Sequence, residues 1–390
     1  MFLWGLLLAV ALRAAHELVG AGVLPALARD LDGQAWAGAF FSSFGLASAA
    51  GILLAGSLAD RRGAARTFAA GLAAFGLGML ATGLAPSMPA VVTARALEGF
   101  GAGMVASVVS AAVIRVYDDV ARPRVLAWLS AAWVVPGLVA PAVSVAVADA
   151  FGWRSVFLGL VPLVAVAAVL ALPPLFRSER GDAPRSASGA APAGLLDNGD
   201  LLAALAARGL VVFAFFGVES FLPLALSVLR DAPPREVAAV LTLSALTWTA
   251  GAFLHSRWSA RFGPGQLTGA GALLLVLGIA GAIPALSGTA PRALALVSWC
   301  FAGFGMGVAY TAATAAAMRA SPAGGEGATG AALGITDALC ASVATAIGGV
   351  LLARSPLVAG GAPDLLVAGF VTAAALGVAT LWPARRLRAS

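Results

Sequence analysis

Twelve apolar runs, each about the length a lipid bilayer requires, limit this chain more than any other feature. They fall at about 2–27, 36–58, 67–86, 89–114, 126–148, 155–175, 203–229, 237–258, 266–286, 292–318, 328–352 and 359–382. Runs of about 20 apolar residues match the hydrocarbon core of a membrane. There each backbone N–H and C=O must find a partner in the chain itself, which selects helices. A large soluble helical protein would instead show polar faces at 3.6-residue spacing, and these runs are apolar all round. Only 11% of the residues are charged, against roughly a quarter in soluble domains. The reading is an all-α polytopic membrane protein with twelve transmembrane helices.

The sixth and seventh runs are separated by Phe176–Asp200, rich in Arg, Ser, Ala, Pro and Gly, a composition suited to a flexible linker. The expected organisation is therefore a six-helix bundle over 1–175, a central cytoplasmic linker over 176–200 and a second six-helix bundle over 201–390. The opening run lacks a basic n-region and a small-residue cleavage site, so it reads as the first helix and not as a signal peptide. Almost no tail precedes it, as in a chain that begins late.

All 24 basic residues are arginine. With the amino terminus in the cytoplasm, fifteen fall in inner loops: Arg61, Arg62, Arg66, Arg115, Arg122, Arg124, Arg177, Arg180, Arg185, Arg257, Arg261, Arg319, Arg385, Arg386 and Arg388. Six fall outside: Arg29, Arg154, Arg230, Arg235, Arg292 and Arg354. The bias places both termini in the cytoplasm. It also accounts for the net charge of +6 without any nucleic-acid partner. Cys300 and Cys340 both lie inside apolar runs, which supports neither a disulfide framework nor a metal site.

The halves repeat each other. Val23-Leu24-Pro25 corresponds to Phe221-Leu222-Pro223 at an offset of 198, and Gly63 to Gly263 at 200. Gly99-Phe-Gly-Ala-Gly103 corresponds to Gly303-Phe-Gly-Met-Gly307 at 204. Parallel repeats of this kind build many secondary transporters, with the substrate site between the halves. The glycine motifs follow no strand, so they are packing seams and not a dinucleotide fingerprint. No catalytic, cofactor or metal constellation stands out, and an enzyme is not indicated.

The short charged stretch Gly56-Ser-Leu-Ala-Asp60-Arg61-Arg62-Gly63-Ala-Ala-Arg66 between the second and third runs resembles the loop 2–3 signature of the major facilitator superfamily. Gly56, Asp60, Arg61, Gly63 and Arg66 stand in the expected places, while Ala64 and Ala65 replace a common basic pair. The equivalent second-half loop has Ala260 where the acid would be. Arg95-Ala-Leu-Glu98-Gly99 resembles the family's helix 4 signature, with Glu98 in place of the usual glutamine. Pro136-Gly137-Leu-Val-Ala140-Pro141-Ala-Val-Ser144 resembles the helix 5 signature of the family's exporters, with Ala140 and Ser144 where glycines are usual. The resemblance covers the whole chain. It implies two six-helix repeats, alternating access, a cytoplasmic gate at Asp60 and its neighbours, and a lean towards efflux through Gly137 and Pro141. An Asp60 close to a helix amino terminus would be favoured by the dipole.

Ionisable groups inside spanning helices are costly and point to function. Counting about 1.5 Å per residue, Glu17, Glu98, Glu219 and Asp337 all come out near the midplane, where transporter sites sit. These acids are the proton-coupling candidates, with His16 as a proton shuttle or a polar interhelical contact. Arg13, four residues before Glu17, and Arg95, three before Glu98, are their helical-neighbour charge partners. Glu219 has no basic residue within a turn. Asp337 either couples protons or caps a local break in its helix. Trp133 and Trp248 are candidates to line a hydrophobic cavity, packing being the alternative. The leading expectation is a proton-driven exporter of small hydrophobic or amphipathic molecules in a bacterial inner membrane, with nothing requiring more than one copy. A proton-coupled uptake symporter for a metabolite is the first rival, and a non-transporting receptor or scaffold a remote one.

Overall fold

The computed structural model describes residues 2–116, 122–179, 198–322, 325–354 and 364–387. The chain runs through α1 (Phe2–Asp30), a single 3-10 turn (Gln34–Trp36), α2 (Ala37–Arg62), α3 (Ala64–Leu84), α4 (Met88–Val116), α5 (Arg122–Phe151) and α6 (Trp153–Glu179). The second half follows with α7 (Gly199–Glu219), α8 (Leu222–Arg230), α9 (Pro234–Trp258), α10 (Pro264–Leu286), α11 (Ala293–Arg319), α12 (Glu326–Arg354), α13 (Asp364–Ala379) and α14 (Leu381–Arg386). Ten spans among the described residues are long and apolar enough to cross a membrane. Large side chains such as Leu53, Leu77, Val169 and Leu277 are exposed on the periphery, as lipid-facing positions require.

Three boundaries differ from the sequence reading. The seventh run is two helices, α7 and α8, broken at Ser220–Phe221. Pro223 cannot donate to the Glu219 carbonyl and its ring crowds that group. The twelfth run is likewise divided, α14 starting after Thr380 with Pro383 inside its first turn. The charged stretch after the second run is mostly helix. α2 continues through Arg62, and Gly63 alone turns the chain, at φ 92°, a conformation glycine adopts without penalty. Asp60 therefore lies in the last turn of α2, not at a helix amino terminus, and the dipole favours the neighbouring Arg61 and Arg62 instead. The central linker, apart from the helix ends reaching to Glu179 and back to Asn198, falls outside the described residues.

The repeat seen in sequence is also a repeat of packing. In the first half α4 is wedged between α2 and α3, and in the second α11 is wedged between α9 and α10. A Cβ at Gly99 would collide with the Phe44 carbonyl, and one at Gly303 with the Ser244 carbonyl. Gly103 meets Ser48 and Gly307 meets Trp248 in the same way. These contact pairs are offset by 204 on one helix and 200 on the other, so the two seams are one design used twice. The absent side chains let the backbones approach, the usual device where lipid supplies no hydrophobic drive. Gly99→Val is expected to lose at least about 1–3 kcal/mol through forced separation of α2 and α4. Gly159, with open space around it, supplies the control: Gly159→Ala should melt like the parent in detergent.

The halves meet through α2 with α12, α5 with α9, and α1 with α8. We call the arginine-rich ends inner and the opposite ends outer. Near the outer ends the contact is close: Gly38 lies backbone to backbone with Gly349, and Gly45 against Ser342. The Phe41 and Phe221 rings meet edge-on there at 6.1 Å. At the inner ends Asp60, Arg61, Arg62 and Arg66, and Ser259–Gly263 of the other half, are exposed. The close backbone contacts between the halves thus lie towards the outer ends, while the inner turns are exposed.

Candidate functional site

Among the described residues three polar clusters lie inside the bundle, and their exposures separate them. The first is sealed within the first half. Glu98 Oε2 lies 2.8 Å from Arg95 Nη1 and 2.9 Å from His16 Nε2. Its other oxygen accepts the Thr82 hydroxyl at 2.6 Å. An imidazole nitrogen facing a carboxylate oxygen carries the hydrogen, so His16 donates to Glu98. These side chains are 0–2% exposed. The Arg95 guanidinium is sandwiched between the Phe40 and Phe44 rings, 4.5 Å from each centroid, and Phe75 stands edge-on to His16 at 5.2 Å. The charge is thus paired, hydrogen-bonded and clad in aromatic faces, which is how a membrane interior tolerates it. His16 is an interhelical contact from α1 to α4.

The second cluster belongs to the second half and borders the interface. Arg208 on α7 grips Asp337 on α12 with both prongs, Nε to Oδ1 at 2.7 Å and Nη2 to Oδ2 at 2.6 Å. This is the strong bidentate geometry of guanidinium and carboxylate. Tyr310 on α11 donates to Asp337 Oδ2 at 3.0 Å and lies under the guanidinium, 3.7 Å from its ring centroid. Arg208 also donates to the Thr314 hydroxyl. Trp248 stands edge-on to Tyr310 at 5.6 Å and continues into Phe215 and Phe216. Glu17 lies on α1 of the first half. Its nearest cation is Arg13, at 3.8 Å and one turn away. One Glu17 oxygen is shielded and makes no hydrogen bond among the described residues. Yet the Glu17 side chain is 30% exposed and Asp337 26%. Both carboxylates are therefore partly accessible, unlike that of the first cluster.

The third is a single carboxylate. Glu219, the last residue of α7, is buried and accepts the indole N–H of Trp299 on α11. It makes no ion pair among the described residues.

The structure thus sorts the four midplane acids into different environments. Glu17 and Asp337 are partly exposed, one in each half, Glu98 is locked inside the first half, and Glu219 sits inside the second. Asp337 caps no break, since α12 is continuous around it; it is held by Arg208 instead. Arg13 and Arg95 are the partners that helical spacing indicated. The inner-turn residues Asp60, Arg61 and Arg66 are exposed and make no ion pair among the described residues. Pro141 is buried in an unbroken α5, its carbonyl accepting the Ser144 hydroxyl at 2.9 Å. α5 packs there on α1, with Ser144 and Val145 against Gly22. The side chain of Trp133 and the surroundings of Gly137 lie outside what the structure describes. Arg208, Tyr310, Thr314, Thr82 and Trp299 were missed as site residues. Arg208 had a signal, being a lone arginine well inside an apolar run with a lone acid, Asp337, in another. Trp299 had one too, because an offset of 204 sets it opposite Arg95.

Two repeated helical bundles of membrane-spanning length, with charged side chains in their interior, define a polytopic membrane protein of two related halves. The sequence profile of the Major Facilitator Superfamily matches residues 6–349, and the chain belongs to that family, one of transporters and not of enzymes. It is 34% identical over 144 residues to the multidrug resistance protein Stp of Mycobacterium tuberculosis, 36% of this chain and 26% of that protein. It is 31% identical over 151 residues to the methylenomycin A resistance protein of Streptomyces coelicolor, 38% of this chain and 31% of that one. The chain therefore matches only about a quarter to a third of these relatives' length. Among solved structures, a D-xylose-proton symporter superposes with a TM-score of 0.76 at 15% identity, over 98% of this chain and 97% of that one. A bacterial homologue of the human lysosomal transporter Spinster, in an inward-facing occupied conformation, gives 0.74 at 17% identity, over 98% and 96%. At these identities the structures speak to the fold.

Proposed function

We propose that this protein is a proton-driven exporter of small hydrophobic or amphipathic molecules, working by alternating access in a bacterial inner membrane. Its arginine-rich ends and both termini face the cytoplasm, and a single copy suffices. The observation that carries the reading is a partly exposed carboxylate inside each half, Glu17 in the first and Asp337 in the second. Substrate lodged against Trp248 and Tyr310 would compete with a proton for Glu17, and such competition couples the two fluxes because a ligand shifts conformers only through its differential affinity. The names of the partial relatives, a multidrug and an antibiotic resistance protein, support the direction. Asp60 and the inner arginines close the cytoplasmic side in the opposite half of the cycle.

One observation favours a second reading. Arg208, Asp337, Tyr310 and Thr314 form the hydrogen-bonding patch that a polar metabolite needs, so uptake with protons stands as the rival. Both are tested in inside-out vesicles energised by a proton gradient, with a dye reporting internal pH during a screen of lipophilic drugs and small metabolites. Export by antiport predicts that a lipophilic compound releases protons from the acidified vesicles while it accumulates inside. Proton movement only with polar solutes, in the same direction as the solute, would replace the exporter by the symporter. No proton movement with any compound, from protein shown to be folded, would remove both.

A further inference from the structure

Glu219 does not belong to the interface cluster, and its surroundings give it a different task. It is the last residue of α7, and Pro223 deprives its main-chain carbonyl of a helical partner, so the acid stands at the elbow between α7 and α8. Two residues further on, Phe221 stands at the break itself, immediately before α8, on the outer side of the interface. It is buried, meets Phe41 of the first half edge-on at 6.1 Å, and presses on α12 where Gly348 leaves room for the ring. The elbow is tied down by the Trp299 indole N–H, donated to the Glu219 carboxylate. Trp299 is a rigid anchor, fully buried and stacked on Phe215 at 5.4 Å and 21°.

Comparison of the halves isolates the arrangement. The register that pairs Gly99 with Gly303 sets Trp299 opposite Arg95, and the one that pairs Pro25 with Pro223 sets Glu219 opposite Ala21. In the first half, α1 runs through its Leu24-Pro25 pair without a break. Where the second half breaks, it has an acid at the elbow and an indole donor in reach. A buried carboxylate inside a spanning segment is costly, and packing alone would be served by alanine, as in the first half.

We propose that the Glu219–Trp299 hydrogen bond is the catch that holds the α7–α8 elbow with Phe221 seated between Phe41 and Gly348. Glu219 and Trp299 are then positioning residues for outer closure. This stands whether the carrier exports or imports, and its test requires no substrate.

The experiment measures the distance across the outer side by pulsed electron resonance, on the full chain in nanodiscs. Spin labels are placed at Ala35→Cys and Val228→Cys, after Cys300→Ala and Cys340→Ala remove the native thiols. Losing this hydrogen bond should raise the ratio of long to short distances about three- to tenfold in Trp299→Phe. The Phe retains the stack on Phe215, so folding is preserved. Glu219→Ala should open the outer side equally, and the double variant Glu219→Ala/Trp299→Phe no further, since both changes remove one interaction. Glu219→Gln should stay closed, because its amide oxygen still accepts from the indole. An unchanged distance in Trp299→Phe, additive opening in the double variant, or opening in Glu219→Gln equal to that of Glu219→Ala would each overturn the proposal. If Glu219→Ala does not fold, Trp299→Phe and Glu219→Gln decide alone.

Discussion

Glu17→Gln is expected to reduce proton-linked transport to the level of empty liposomes while the protein still inserts and folds like the parent. The two halves of that expectation rest on different features. Folding is spared because Glu17 contributes little to it: its ion pair with Arg13 is at 3.8 Å and partly exposed. Pairs of this kind are worth roughly 0–1 kcal/mol. Transport is lost because Gln keeps the shape of the side chain but can neither carry a proton nor offer a charge. Asp337→Asn provides the contrast. It disturbs the tight fork of Arg208, so its transport defect should come with a lowered melting temperature. Counterflow of substrate without a proton gradient separates coupling from binding: Glu17→Gln should still exchange substrate across the membrane. Normal proton release by Glu17→Gln under a pH gradient would remove Glu17 from the mechanism.

The second large effect concerns stability. Arg95→Met should destabilise the first half by about 3–5 kcal/mol, the cost of leaving one member of a buried pair without its partner. Glu98 would remain fully buried, still accepting from His16 and Thr82 but without the guanidinium. The double variant Arg95→Met/Glu98→Gln should recover much of that loss, because it removes the stranded charge along with its partner. Thermal unfolding of the four proteins in one detergent supplies the cycle. A double variant no more stable than Arg95→Met alone would mean that the cost comes from the lost packing of the guanidinium between Phe40 and Phe44, and not from the unpaired acid.

The same residues show how far a linear reading reaches. Arg13 with Glu17, and Arg95 with Glu98, were legible because partners three or four apart on one helix are fixed by helical geometry. His16 with Glu98, Arg208 with Asp337 and Trp299 with Glu219 join different helices. Nothing in spacing relates residues separated by 82, 129 or 80 positions. Depth was legible too, since counting residues from a helix end places an acid along the membrane normal. Depth put all four acids in one layer. It could not distribute them within that layer, and the layer holds three separate environments. The Pro223 break was visible as a residue and not as a consequence, because α1 absorbs its own Leu-Pro pair and stays continuous.

Apolar runs of bilayer length, the arginine bias and the offset glycine motifs were sufficient for a membrane bundle of two related halves. Each reflects a constraint that acts locally: hydrocarbon thickness, the cost of charge in lipid, and the close approach that glycine permits. Which acid stays partly exposed, which is locked away and which sits at an elbow depended on how the helices are rotated and packed. Rotation is set by contacts summed over whole helix faces, so a charge of given depth acquires its role only when its neighbours from other helices arrive.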